Sequence, residues 1–162
     1  TMTNDAETAV ATDTAEDVFG PVIHAYTRAQ AIEDGTLVDL TAWGADRGPE
    51  GMLNGFHGPV AVTRALWTAI ENVPDTKTAR HQDVRGRAHD VLWMGCLGMR
   101  QVIRRLQNAG RKIGPGDVDL YYRLTLDRVG TRKRLVVLRL TLDAPDDGSG
   151  VPVVTIGFPE DF

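Results

Sequence analysis

The last third of the chain alternates. From Val118 to Asp127, apolar Val118, Leu120, Tyr122, Leu124 and Leu126 take every second place, and Asp119, Tyr121, Arg123, Thr125 and Asp127 take the places between. Successive side chains of a strand point to opposite faces, so the pattern predicts a strand over 118–127 with one face on a core and one in water. A second apolar run, 135–143, follows the turn-like RVGTRKR, and a third, 151–158, follows APDDGSG. Short polar connections between successive strands favour hairpins, so these three segments are expected to form an antiparallel meander.

Upstream the period is helical. Val62, Leu66, Ile70 and Val73 recur every three or four residues, which predicts a helix over 59–73 with Pro59 at its first position and Pro74 stopping it. A longer helix is expected over 89–109, with Gly110 closing it. Thr27 is placed to cap a helical turn that Gly35 ends, and Leu37–Leu40 reads as a short extended piece, as does Val22-Ile23. Residues 43–58 hold five glycines and a proline without periodicity and read as a long loop. The fold class is therefore α+β, an antiparallel C-terminal meander with two principal helices packed on one face.

Residues 1–18 are Thr- and Ala-rich and carry Asp5, Glu7, Asp13, Glu16 and Asp17 before any basic residue, so a flexible acidic tail is expected, followed by a single domain over 19–162. A chain of 162 residues suits one core. No apolar run reaches the ~20 residues that cross a bilayer, and TMTNDAETAV lacks the basic and apolar blocks of a signal peptide. With a lone cysteine, Cys96, these features lead us to expect a cytoplasmic protein without a membrane partner.

Charge is segregated along the chain. Residues 80–139 hold 14 Arg or Lys against 5 Asp or Glu, a local balance of +9, while the remainder stands at −13. The candidate anion- or partner-binding residues are Arg85, Arg87, Arg123, Arg132, Lys133, Arg134 and Arg139. A hairpin folded symmetrically about Thr131 would set Arg123 opposite Arg139, a like-charge pair that is easier to explain if an anion or an acidic surface meets it. An acidic protein partner is the first reading and nucleic-acid phosphates the second. The acidic overall balance, with a pI of about 5.5, and the lack of a helix-turn-helix, zinc-finger or aromatic RNA-binding motif weigh against the latter.

Several catalytic chemistries are hard to build here. Ser149 is the only serine and stands in a turn without a nucleophile-elbow pattern. Cys96 lies among apolar neighbours in WMGCLGM, where a thiol is a small hydrophobe. The glycine-rich stretches do not sit between a strand and a helix as a phosphate loop requires. The enzyme alternative is a small metal- or phosphate-dependent site around His57, His81, Asp83, His89 and Asp90, with Asp117 or Asp119 as a further ligand. We expect no cofactor, no catalytic residue and no metal site.

The segments VIHAYTRAQAIEDGTLVDL (22–40), PVAVTRALW (59–67), DVRGRAHDVLWM (83–94) and VVTIGFPEDF (153–162) resemble an uncharacterised family of small proteins encoded by bacteriophages, plasmids and their hosts. The string from Tyr26 to Gly35 is the most specific part. The resemblance transfers no activity; it implies an accessory protein of a mobile element that binds host machinery, with inhibition of a host defence system as its expected role.

Overall fold

The computed structural model describes residues 25–45 and 55–162. In chain order these form α1 (Arg28–Glu33), β1 (Leu37–Asp39), α2 (Thr41–Ala45), β2 (Val60–Thr63), α3 (Arg64–Glu71), α4 (Val84–Asn108), β3 (Asp119–Thr125), β4 (Leu135–Asp143), β5 (Val153–Gly157) and a 3-10 turn, Pro159–Asp161. The acidic tail, the Val22-Ile23 strand and positions 46–54 of the expected loop lie outside the described residues.

The meander forms as expected: β3 pairs with β4 and β4 with β5, both antiparallel. The sheet then continues past β5 through β2 and β1, in the order β1-β2-β5-β4-β3, with β2 parallel to β5. Alternation sorts β3 and β4 cleanly. Leu120, Tyr122, Leu124, Val136, Leu138 and Leu140 face the core, while Asp119, Tyr121, Arg123, Leu135 and Val137 face out. On the inner face, α3 contributes Leu66 and Ile70 and α4 contributes Ala88, Val91, Leu92 and Cys96 to one apolar cluster. The fold is α+β.

Several boundaries differ from the sequence reading, among them β3, which spans Asp119–Thr125 rather than 118–127, and the expected loop at 43–58, whose first three residues end α2; two differences have a physical reason. Residues 59–73 are not one helix: Val60–Thr63 is a strand with all four residues buried, and the helix begins at Arg64. A strand covered on both faces shows no alternation, so its valines fell in register with the helical period that follows. Thr63 ends the strand and caps the helix, its Oγ1 accepting from Leu66 N at 3.3 Å. The second helix starts at Val84, five residues before the expected His89, because Asp83 takes the Gly86 N–H at 2.6 Å and satisfies a first-turn donor. Arg85 and Arg87, expected ahead of the helix, therefore sit in its first turn. The third strand is also shorter, Val153–Gly157 rather than 151–158.

The string from Tyr26 to Gly35 makes local structure. Thr27 and Gln30 form a reciprocal capping box, and Gly35, with φ of +80°, ends the turn. The Tyr26 hydroxyl donates to Asp34, which holds that carboxyl below its ordinary range. Arg28 reaches the outer face of the sheet, donating to Thr155 Oγ1 and to the Val154 carbonyl, each at 2.7 Å. These contacts fasten α1 across β5.

Candidate interaction surface

The β3–β4 hairpin carries five of the seven candidate cations, and its register decides what they can do. Arg123 pairs with Val137 and Tyr121 with Arg139. The expected Arg123–Arg139 juxtaposition is absent, because the hairpin is symmetric about Gly130, at φ of +80°, rather than Thr131. Moving the centre by one residue shifts the pairing by two, an even number that keeps every side chain on its expected face while changing its neighbour. Arg139 instead holds Asp119 with two hydrogen bonds, Nε to Oδ1 at 2.9 Å and Nη2 to Oδ2 at 2.8 Å. Its guanidinium also lies 4.8 Å from the Phe162 ring centroid and 5.9 Å from that of Tyr121. The bidentate bond draws the Asp119 carboxyl below its usual range.

Arg87 leaves the candidate surface altogether. It is 3% exposed and donates to the carbonyls of Ile70 (3.0 Å), Ala69 (2.7 Å) and Asp127 (2.6 Å) and to Gln82 Oε1 (2.6 Å). Ala69 and Ile70 belong to the last turn of α3, whose carbonyls lack intrahelical donors. Arg87 thus ties the end of one helix to the start of another and to the end of β3, which is a structural duty. Arg134 is committed as well: its Nε donates to Asp127 Oδ1 at 2.7 Å. With help from Gln82 Nε2 at 3.1 Å, that bond sets the Asp127 carboxyl below its ordinary value.

Arg123, Arg132 and Lys133 remain. All three are exposed, and their side chains pair with none of the described residues. Beside them the open face is apolar. Val137 lies directly across from Arg123, and Leu135, next along the same face, is 61% exposed, with Val129 also exposed in the turn. Arg128 stands 5.5 Å from the Phe158 ring centroid, and its buried Nε has no hydrogen-bond partner among the described residues. Arg85 is exposed in the first turn of α4. The sequence reading missed Leu135 and Val137. Their outward positions follow from the alternation of β4, but a continuous run LVVL conceals them until the register is known.

Among the described residues, His57, His81 and His89 do not converge. His81, Asp83 and Asp90 line a cleft of about 320 Å³ with Gln82, Arg87 and Thr125, whereas His57 lines a separate cleft of about 280 Å³ with Thr41, Asp147 and Ser149. His89 stacks on Trp93 with ring centroids 6.3 Å apart. Asp117 accepts from Arg111 and from Gly114 N, and Asp119 from Arg139. Among the described residues no three His, Cys, Asp or Glu side chains are grouped to hold a metal ion. Cys96 is buried and its thiol pKa is pushed up by that burial, the opposite of an activated thiolate. No helix among the described residues is long and apolar enough to cross a membrane.

Comparison with protein-family models, with curated proteins and with solved structures gives no match.

Proposed function

We propose that this chain acts by binding an acidic protein partner on the open face of the β3–β4 hairpin. The observation that carries the reading is the juxtaposition of Arg123, Arg132 and Lys133, which pair with none of the described residues, with exposed Leu135, Val137 and Val129. Cations flanking exposed aliphatic side chains match a protein interface, where an apolar centre is ringed by charge. Phosphates reward the cations but not the aliphatics, so a nucleic acid would use only part of this surface. The resemblance to small proteins of mobile elements extends the proposal: the partner belongs to host machinery, and binding inhibits it, a defence complex being the expected target.

The test compares the wild type with a variant carrying Arg132→Glu, Lys133→Glu and Leu135→Asp. Host extract is passed over each protein immobilised at about 50 and 200 mM salt, alongside a labelled DNA duplex as a second probe. The reading expects an acidic protein retained by the wild type and lost by the variant, with weaker retention at the higher salt. Equal retention by both proteins, or retention of the duplex alone, overturns it.

A further inference from the structure

The strand β3 is an edge of the sheet, and its open side has a definite chemistry. Leu126 N donates to the Arg134 carbonyl and Leu142 N to the Val118 carbonyl, so the even-numbered residues of β3 make the hydrogen-bonded pairs with β4. It follows that the N–H and C=O groups of Asp119, Tyr121, Arg123 and Thr125 point away from β4. Among the described residues these backbone groups have no hydrogen-bond partner. The edge is seven residues long, holds no proline or lysine, and carries outward charge only at Asp119 and Arg123, which are of opposite sign. The strand's inward side chains Leu120, Tyr122 and Leu124 each keep 8% exposure, whereas Leu138 and Leu140 in the neighbouring strand keep none.

We propose that a second copy of this chain docks on this edge, β3 against β3 in antiparallel register about Tyr121, so that the sheet runs on through a twofold axis. The register follows from side-chain complementarity. With Tyr121 opposite its own copy, Arg123 of each chain falls opposite Asp119 of the other, giving two cross-strand ion pairs around an aromatic pair. Tyr121 is 60% exposed and ready for such a contact. Asp119 already accepts from Arg139, but a carboxylate has about four acceptor sites, so room for Arg123 remains. Centring the pair on Arg123 would instead set two cations face to face, which is destabilising. The residues so paired are those whose backbone groups point outward, as new ladder bonds require. On the inner side Gly98 lets α4 approach Leu120 closely, and Met94, one turn back on the same side of the helix, is an exposed apolar side chain that the second copy covers.

The two surfaces share Arg123, while the rest of the partner surface, Arg132, Lys133, Leu135 and Val137, lies on β4 and the turn before it. An isologous contact of this kind closes as a dimer.

Cross-linking tests the axis directly. The chain's one cysteine, Cys96, is buried, so a thiol introduced on the edge reports alone. Directly opposed Cα atoms in a hydrogen-bonded antiparallel pair stand about 5.5 Å apart, within disulfide range. Tyr121→Cys should form a covalent dimer under mild oxidation, whereas Arg123→Cys, displaced four residues from its copy, should not. Sedimentation of the full chain should show a dimer that gains mass with concentration, and Arg123→Glu should weaken it about tenfold or more. Tyr121→Pro removes only an outward N–H and should give a folded monomer, with circular dichroism as the control. A wild type that stays monomeric at high micromolar concentration overturns the proposal. So does a cross-link at position 123 in place of 121.

Discussion

Replacing Arg87 with alanine should destabilise the protein by about 4 kcal/mol, and the structure supplies the reckoning. The side chain makes four hydrogen bonds, three to backbone carbonyls, and it is almost wholly buried. Thr68 O is satisfied by Asn72 N and Glu71 O by Val73 N, so within the last turn of α3 Arg87 alone serves Ala69 and Ile70. Alanine leaves these two acceptors and Asp127 O without their donor, at about 1–3 kcal/mol for each buried group that water does not reach. Water entering through the adjoining cleft, about 320 Å³ in volume, satisfies part of that loss, which brings the sum down to about 4 kcal/mol. In a chain of this length the melting temperature should fall by roughly 8–16 °C. Arg85→Ala, two residues earlier on the exposed side of the same turn, should cost less than about 1 kcal/mol. Urea unfolding of both variants and the wild type measures the difference. If Arg87→Ala unfolds within about 1 kcal/mol of the wild type, no more than the low end for a single orphaned carbonyl, yet loses its partner, Arg87 belongs to the binding surface and its structural role is refuted.

Two further outcomes follow from particular contacts. Asp127 has its pKa lowered on folding by Arg134 and Gln82, so its pairing stabilises the protein above the unfolded carboxyl pKa of about 3.9 and is lost as pH falls through the lower folded value. Asp127→Asn should therefore be less stable at neutral pH and show a shallower loss of stability in acid, read from denaturation midpoints along a pH series; a slope equal to that of the wild type would refute the assignment. Gly157→Ala places a Cβ 2.4 Å from Thr63 Cγ2, where β5 meets the start of α3, and should cost about 1–3 kcal/mol, checked by the same unfolding assay against an exposed control, Gly148→Asn, in the turn before β5.

The strands of the C-terminal third, the long helix and the small cap of α1 were legible because each rests on a local rule. Alternation assigns Leu120 and Tyr121 to opposite faces whatever lies across the sheet, and Thr27 with Gln30 completes a capping box within four residues. Pairing is not local. The fate of Val60–Thr63 depended on β5, nearly a hundred residues later, whose parallel edge buried all four residues as a strand. The cations show the same division. Sequence places 14 of them in residues 80–139, but only tertiary structure spends Arg87 on the carbonyls of α3, Arg134 on Asp127 and Arg139 on Asp119. It leaves Arg123, Arg132 and Lys133 exposed on the hairpin. A charge is a property of its own residue, whereas its partner is set by register and packing, and a shift of one residue in the centre of a turn is enough to exchange a like-charged neighbour for a valine.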